Sequence, residues 1–408
     1  MRPFINYITL AAICLYQGFL SAQSPINLAQ AIEIAVNNNA KLRTETKLVQ
    51  YRQALVNSAY RFEPTQINAE LGQFNSTFFD TGFGVSQSFF LPKVYKKRAE
   101  ANRYEVKSGE AYVKLTEAGL RQQLEELFLE YRFLNQKENL LRYQDSLYGG
   151  FLQKTNIRLE KGESDILEKT TAEQQKLNLS NQLAMLSKMK DYVTIHLNWL
   201  LNDGGSYVPE VTSIETTYNI FYDSTSVNNH PAVLVTEQEL LLAKSLTQVE
   251  KTALLPEIMF GYRNVSIRGT GADNQVYGGG DRFSSFQVGF GLPLFTKGIR
   301  SSIQSAKIME DIKTHEYNAK KGELLTKIQQ QYVLYNETLQ QVRSYEEKAL
   351  PNAKTIRSVS DTQFSNGQIN YLEYVMLTQQ AIQIESEYLE LKRNLNLIII
   401  DLYYLTNH

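Results

Sequence analysis

Few residues of this chain have the types and spacing that catalysis or metal binding would require. The 408 residues include four histidines and one cysteine, Cys14, and the histidines are scattered. A thiolate zinc site needs several cysteines, and a catalytic nucleophile needs a base within hydrogen-bond reach, so neither is predicted. Gly278–Asp281 is glycine-rich but lacks the Lys-Ser/Thr pair of a phosphate-binding loop. The sequence therefore predicts no enzyme, no metal site and no cofactor.

One motif of chemical interest occurs twice, and it is a turn. Leu159–Gly162 in the first half of the chain corresponds to Phe364–Gly367 in the second. In both copies a leucine and a glutamate follow the glycine after five and six residues. These pairs are Leu167–Glu168 and Leu372–Glu373. A glycine lets the chain reverse between antiparallel helices because it adopts positive φ at little cost.

The charge of the chain excludes one class of partner. Lysine and arginine total 42, aspartate and glutamate total 43, and the formal net charge is -1. A nucleic-acid-binding protein needs a cationic surface that displaces counterions, so no nucleic-acid partner is predicted. Hydrophobic residues make up 43% of the chain and aromatic residues 11%, which predicts an ordered protein.

The first 22 residues have the pattern of a secretory signal peptide. Met1 and Arg2 precede an apolar run, Ile8–Leu20, and cleavage is predicted near Ala22. Cys14 is expected to leave with this segment. No later segment has the roughly 18 consecutive apolar residues of a transmembrane helix. The exported chain is therefore predicted to be either soluble or embedded in a membrane through β-strands.

The rest of the chain repeats itself. Asn39–Leu42 corresponds to Pro231–Leu234, and Pro64 to Pro256 at the same offset. In the long helices, Leu124 and Leu141 correspond to Leu325 and Val342. Between this block and the turn motif the offset grows by four residues, about one helical turn, which a heptad helix is expected to absorb as a stutter. The predicted segments are a signal peptide (1–22), a first repeat (23–205), a linker (206–229) and a second repeat (230–408).

Long helices are predicted in each repeat. Val94–Glu160 contains no proline, and at 1.5 Å per residue it would extend about 100 Å. Apolar residues step by threes and fours, which is the spacing of a coiled-coil seam. In the first repeat this seam consists of Leu179, Leu183, Leu186, Val193, Leu197 and Leu200, interrupted by Lys190. Such helices are expected to pack side by side as antiparallel pairs.

The apolar period changes to two between the first and second helix of each repeat. Residues 66–75, 82–90, 258–262 and 286–292 alternate apolar side chains with polar or small ones. Strands of about ten residues are long enough to span a membrane. Four strands cannot close a barrel, and lipid does not tolerate an open sheet edge, so the chain is predicted to oligomerise. Three copies would supply twelve strands.

In these motifs and their order the chain resembles the outer-membrane efflux protein family, the TolC-like channels, from about Asn27 to Leu405. The doubled Phe/Leu-x-x-Gly-x-x-x-x-Leu-Glu turn is the most specific part of the resemblance. A second match is a strand-ending Leu-Pro followed by a basic, alanine-containing helix start. Its residues are Leu91, Pro92, Lys96, Lys97, Arg98, Ala99, Leu292, Pro293, Arg300 and Ala306.

The resemblance implies a mainly α fold with membrane β-structure. A long antiparallel α-helical coiled-coil barrel would be continuous with a trimeric 12-stranded transmembrane β-barrel, to which each chain gives four strands. The protein would lie in the outer membrane, surrounded by lipid, with its helical part in the periplasm. It would be a homotrimer and a passive exit duct of a tripartite efflux system. Its partners would be a periplasmic adaptor (membrane fusion) protein and an inner-membrane transporter.

The resemblance also implies roles for the two turns. The residues expected at the periplasmic mouth, where the adaptor docks, are Gly162, Leu167, Glu168, Gly367, Leu372 and Glu373. The leucines would pack against an adaptor hairpin, and the glutamates would form hydrogen bonds with it. Some family members close the mouth with Tyr, Arg and Asp links, but here Phe364, Ile369 and Met376 occupy those places. Glu163 and Asp165 are instead expected to form an acidic ring that favours cations in the trimer.

Two other functions are compatible with parts of the sequence. The same fold could serve as the outer-membrane outlet of a type I protein secretion system, and neither the helix pattern nor the turns distinguish this task from efflux. A structural exported coiled-coil protein without a pore is the second alternative, but it leaves the paired ten-residue alternations unexplained.

Overall fold

The structure is a computed structural model that describes residues 24–162, 166–211 and 226–406. The predicted signal peptide and much of the predicted linker lie outside the described residues. Glu163 and Asp165, the two residues of the expected acidic ring, also lie outside them.

Long helices make up most of the described chain. In chain order the helices are α1 (Leu28–Asn38), α2 (Ala40–Leu55), α3 (Pro92–Glu160), α4 (Ile166–Leu201), α5 (Pro231–Thr252), α6 (Lys297–Ser344), α7 (Leu350–Ser365) and α8 (Tyr371–Thr406). The strands are β1 (Ser24–Ile26), β2 (Gln66–Gly72), β3 (Asp80–Phe90), β4 (Tyr207–Pro209), β5 (Glu257–Ser266), β6 (Gly269–Thr270), β7 (Val276–Tyr277) and β8 (Arg282–Gly291). Short 3-10 helices occupy Val56–Tyr60 and Ser226–Asn229. No helix of the described ranges combines the length and hydropathy needed to cross a membrane.

Helix α3 is a single helix of 69 residues, as the proline-free stretch predicts. Pro92 stands at its start, where the missing N–H leaves no hydrogen bond unmade. On its exposed side, glutamates four residues before arginines form ion pairs that stabilise the helix. One example is the pair of Glu117 and Arg121 at 2.8 Å. At 1.5 Å per residue the helix is about 100 Å long.

The corresponding helix of the second repeat is interrupted. Helix α6 ends at Ser344, a π-helical turn spans Tyr345–Ala349, and α7 follows with Pro351 in its first turn. A proline inside a helix removes one backbone donor and clashes with the carbonyl of the preceding turn, so the α-helical ladder is altered at this point. Across the π turn two reciprocal hydrogen bonds reach α8, from Tyr345 to Glu387 at 2.9 Å and from Tyr388 to Glu346 at 2.7 Å.

The four predicted strands form one antiparallel sheet. Its strand order is β2-β3-β5-β8, so the two hairpins, one from each repeat, are joined through β3 and β5. In the register between them Val85 lies opposite Tyr262 and Phe89 opposite Ile258. Strands β6 and β7, which the alternation did not predict, form a small hairpin of their own in the loop between β5 and β8.

A buried carboxylate connects the loops at one end of this sheet. Asp80, which is 0% exposed, accepts hydrogen bonds from the hydroxyl groups of Ser76 at 2.9 Å and Ser266 at 3.0 Å. The backbone N–H of Arg268 donates a third hydrogen bond at 3.0 Å. The loop between β2 and β3 is therefore fixed to the segment that follows β5.

The chain divides into two compact units, each built from segments of both repeats. Unit 1 contains the described residues of 1–43, 116–230 and 324–408, and unit 2 contains residues 44–115 and 231–323. The sheet belongs to unit 2, and both turn motifs belong to unit 1.

The coiled-coil seam predicted on α4 lies in the core of unit 1. Its buried residues are Leu179, Leu186, Val193, Leu197 and Leu200. Lys190, which interrupts the seam, forms an ion pair with Glu138 of α3, and its ammonium group donates a hydrogen bond to Asn135 at 2.6 Å. The ammonium group of this lysine, which lies among apolar positions, thus has polar partners on α3. These contacts favour one alignment of α4 against α3.

The carboxylate of Glu239 connects three helices in unit 2. The Tyr112 hydroxyl of α3 donates to Glu239 of α5 at 2.6 Å, and Lys313 of α6 donates to the other oxygen of Glu239 at 2.9 Å. The hydrogen bond to Glu239 raises the pKa of Tyr112 to about 12, because losing the proton would place two anions side by side.

Candidate functional site

One face of the sheet is apolar and exposed. The register places Phe290 beside Ile258, Val288 beside Phe260, and Phe286 beside Tyr262 on this face. Phe286 is 87% exposed and Phe290 68% exposed. Large apolar side chains in contiguous exposed patches mark a surface that contacts lipid or protein.

The opposite face of the same sheet carries mainly small and polar side chains, with the apolar residues Met259, Val265 and Phe283 toward its ends. Its residues include Asn68, Gly82, Gly84, Ser86, Gly261, Gln287 and Gly289. An ion pair between Glu70 of β2 and Arg263 of β5 lies on this face. Side chains of this kind tolerate contact with water, so the two faces of the sheet suit different environments, one apolar and one aqueous.

Both edges of the sheet are open in the single chain. Strand β2 pairs only with β3, and β8 pairs only with β5. One row of backbone N–H and C=O groups on each edge strand therefore has no strand partner within the described residues. An open edge of this length is a template for pairing with another strand.

The first turn motif begins at the end of α3. Gly162 has a φ of 73°, and its N–H donates to the Leu159 carbonyl at 3.0 Å. The predicted left-handed conformation is therefore present. Leu167, in the first turn of α4, is 68% exposed, and Glu168 forms an ion pair with Arg158 of α3 at 3.6 Å.

The second turn motif has the same backbone geometry. Gly367 has a φ of 69°, and the N–H of Gln368 closes the turn on the Gln363 carbonyl at 2.9 Å. Asn370 and Glu373 form reciprocal hydrogen bonds of 2.9 Å between side chain and backbone, the capping box that begins α8. Glu373 thus has a role in its own helix besides the one expected from the sequence.

Leu372 is 41% exposed and lies one position before Glu373. In each repeat the structure therefore brings the predicted glycine, leucine and glutamate together at one helical turn. The leucine presents apolar surface to solvent in both copies.

An aromatic cluster beside the second turn was not predicted from the sequence. Phe151 of α3 stacks on Tyr371 with ring centroids 4.0 Å apart, and Phe364 stacks on Tyr374 at 4.7 Å. The Lys154 ammonium lies 4.8 Å from the centre of the Phe364 ring. Burial, with a hydrogen bond to Asp361, raises the pKa of Tyr374 to about 12. The spacing of Phe364, Tyr371 and Tyr374 was the available signal.

No group of three or more metal-ligating side chains is present among the described residues. His196 lies between the rings of Tyr192 and Trp199 on α4, at 6.3 and 5.7 Å. His230 is buried and packs edge-on against Tyr404 at 5.3 Å. Both histidines therefore have packing roles in unit 1.

Comparisons with known proteins agree with this geometry. Residues 224–408 match the family model described as outer membrane efflux protein. The solved structure of CusC is 16% identical with a TM-score of 0.76, over 97% of this chain and 96% of that one. The CmeC channel of Campylobacter jejuni is also 16% identical, with a TM-score of 0.76, over 93% and 85%. The MtrE channel of Neisseria gonorrhoeae is 14% identical, with a TM-score of 0.73, over 93% and 88%.

None of the curated protein sequences compared with the chain matches it. The fold is that of the outer-membrane channels with long helices and membrane strands, as the sequence predicts. Residues 224–408 are therefore similar to the outer membrane efflux protein family, and the likeness in fold extends over nearly the whole chain.

Proposed function

We propose that the chain is one subunit of a homotrimeric outer-membrane channel, the exit duct of a tripartite efflux system. The observation that carries the proposal is the four-stranded sheet with one apolar face, one polar face and two open edges. In lipid every backbone polar group needs a partner, so β8 of one subunit pairs with β2 of the next until the cylinder closes. Three subunits of four strands give twelve.

The two faces of the sheet support the same arrangement. With the apolar face outward, Phe286, Val288 and Phe290 contact lipid acyl chains. The glycine-rich face then lines a water-filled lumen, with the pair of Glu70 and Arg263 inside it. Such a lumen is a passive conduit, and the inner-membrane transporter supplies the energy for efflux.

Cysteine cross-linking tests the trimer directly. A cysteine is placed at Asn68 on β2 and a second one is scanned along β8, in a mature chain predicted to lack cysteine. Oxidation in cells is expected to give a covalent trimer in the outer-membrane fraction, which shifts in mobility when heated in detergent. A chain that remains a water-soluble monomer, folded without detergent or lipid, would falsify the proposal.

The two helical turns are proposed as the adaptor docking sites. Support comes from the exposed leucines Leu167 and Leu372, each adjacent to a glutamate and close to a left-handed glycine. An adaptor hairpin that lies between the helices would bury these leucines and donate hydrogen bonds to the carboxylates of Glu168 and Glu373. Since Glu373 also caps α8, its two roles must be separated by experiment.

Substitution at Glu373 separates them. Glu373→Gln keeps a side chain that can complete the capping box but removes the charge, whereas Glu373→Ala removes both. If the charge contacts the adaptor, both variants reduce adaptor cross-linking from positions next to Gly367. If the residue only caps the helix, Glu373→Gln behaves like the wild type. The captured partner also distinguishes efflux from type I secretion, since the two systems use different adaptors and transporters.

The acidic ring of Glu163 and Asp165 is proposed on the sequence alone. Three copies would place six carboxylates at the mouth and favour the passage of cations. Glu163→Gln combined with Asp165→Asn is expected to reduce the cation preference of the channel in a planar bilayer. Unchanged cation conductance in this variant would refute the ring.

A further inference from the structure

A continuous row of aromatic rings lies at the helix end of the sheet in unit 2. Tyr60 stacks on Tyr95 at 6.5 Å, Phe62 contacts Tyr95 at 5.5 Å and Phe89 at 5.6 Å, and Phe89 contacts Phe260 at 6.2 Å. Tyr60, Phe62 and Phe260 are each about half exposed. Exposed aromatic rings at the boundary of an apolar surface are typical of the interface between a membrane and water.

Basic side chains follow this row directly. Strands β3 and β8 finish at the same end of the sheet, since Phe90 and Gly291 both pair with Glu257. Helix α3 begins after β3, and α6 begins after β8. The cations at these two helix starts are Lys93, Lys96, Lys97, Arg98, Lys297 and Arg300.

These cations are not explained by the helices that carry them. A positive charge near a helix N-terminus opposes the helix dipole, and neither α3 nor α6 has an acidic residue in its first turn. Lys97 pairs with Glu100 at 2.7 Å, and the Arg98 guanidinium lies 4.8 Å from the centre of the Phe90 ring. Lys93 and Lys96 are exposed and form no ion pair within the described residues.

We infer that this basic band binds the phosphate groups of anionic phospholipids in the periplasmic leaflet of the outer membrane. The inference rests on the proposed function, because it needs the apolar face of the sheet to lie in the membrane. The order of surfaces along the chain is then apolar strands, an aromatic row and cations, which matches acyl chains, the glycerol region and phosphates. Because Lys93, Lys96, Lys297 and Arg300 are exposed, three subunits present twelve such cations.

The test compares two lipids on the intact trimer. The detergent-solubilised protein is incubated with equal amounts of phosphatidylglycerol and phosphatidylethanolamine, and retained lipid is measured by native mass spectrometry. The wild type is expected to retain phosphatidylglycerol preferentially, and the preference is expected to weaken at high salt. Each removed cation is expected to lower the apparent affinity about fivefold at low salt. The variant carries Lys93→Gln, Lys96→Gln, Lys297→Gln and Arg300→Gln.

A control variant, Lys114→Gln with Lys307→Gln, removes exposed cations further along the same two helices. It is expected to keep the preference for phosphatidylglycerol. Equal retention of the two lipids by the wild type, an equal loss in the control, or displacement of phosphatidylglycerol by inorganic phosphate would overturn the inference while leaving the trimer intact. A chain that forms no membrane trimer would overturn the proposed function, and the inference with it.

Discussion

At the scale of single residues, backbone conformation decides the identity of the two turn glycines. Gly162 and Gly367 have φ values of 73° and 69°, and a Cβ added to either would meet nothing within 4 Å. A side chain at these positions would therefore be strained by φ alone and not by crowding.

Alanine is expected to have opposite effects on stability at a glycine with positive φ and at a glycine inside a helix. Gly367→Ala is expected to lower the free energy of unfolding by about 1 kcal/mol, because alanine disfavours positive φ. Gly150→Ala, in the interior of α3 where an added Cβ also meets nothing, is expected to raise it by about 0.5–1 kcal/mol. Thermal unfolding followed by circular dichroism measures both. Shifts in the same direction would contradict the account.

A second residue-scale feature is a pair of carboxylates in unit 1. Gln122 of α3 donates to Asp401 of α8 at 2.8 Å, and Gln331 of α6 donates to the other oxygen at 3.3 Å. Burial, together with the negative charge of Asp401, raises the pKa of nearby Glu126, although a hydrogen bond from Gln122 and the charge of Lys327 act in the opposite direction. The protonated form of Glu126 is thus favoured by folding.

The sign of the pH effect follows from linkage. Because the folded pKa of Glu126 is above its unfolded value, its contribution to stability is present at acidic pH and is lost as the pH rises through the folded pKa. Glu126→Gln, which mimics the protonated acid, is expected to match the wild type at acidic pH and exceed it at neutral pH. Urea unfolding at several pH values measures the difference. A variant that is less stable at neutral pH would show that the charged form is needed.

At the scale of elements, the π turn at Tyr345–Ala349 lies in the stretch where the offset between the two halves of the sequence changes by four residues. The long helices of the two halves align at one offset up to Leu141 and Val342, and at an offset four residues larger from Leu159 and Phe364 onward. Four extra residues are slightly more than one helical turn of 3.6 residues. The winding of the helix must therefore change somewhere between these two points if the same face is to stay buried. The sequence predicted a smooth stutter, and the structure has the wider π turn before Pro351 within this stretch.

The π turn predicts tolerance of a deletion. A π turn is a one-residue expansion of an α-helix, so removing exposed Glu347 is expected to leave a regular helix with α7 in its present register. Removing exposed Ser146 from uninterrupted α3 rotates everything after it by about 100° and is expected to abolish trimer assembly. The yield of heat-modifiable trimer in the outer membrane compares the two deletions. Equal loss in both would mean that the π turn is not a removable insertion.

At the scale of the whole molecule, the two faces of the sheet determine where the protein can reside. Val288 and Gln287 are adjacent in β8, and both are exposed in the single chain. They lie on opposite faces, since Val288 is opposite Phe260 and Gln287 is opposite Gly261. In the proposed trimer one faces lipid and the other faces water.

Arginine at these two positions tests the orientation of the sheet. Val288→Arg is expected to cost about 2–4 kcal/mol near the middle of the bilayer and to reduce the yield of inserted trimer. Gln287→Arg introduces the same side chain one position earlier and is expected to leave insertion unchanged, because it points into the lumen. The outer-membrane trimer band on unheated gels measures both. Loss with Gln287→Arg and tolerance of Val288→Arg would reverse the assigned faces.

Much of the fold was predictable because it depends on local patterns. The proline-free run predicted α3, the period of three and four predicted the buried seam on α4, and the period of two predicted the four strands. The turn glycines were predictable for the same reason, since positive φ is a local property. The stacking of Phe151 on Tyr371 was not predictable, because α3 and the second turn are more than 200 residues apart in sequence.

The sequence by itself determined the periods, the duplicated turn and the secretory pattern, since each depends on residues that are close along the chain. Only the tertiary structure decided that β3 pairs with β5, which joins the hairpins of the two repeats into one sheet and leaves β2 and β8 as its edges. It also decided that Lys190 meets Glu138 and that Glu373 caps its own helix. Strand order and side-chain partners depend on contacts between segments that are distant in sequence. Neither the composition of the chain nor the spacing of its residues specifies such contacts.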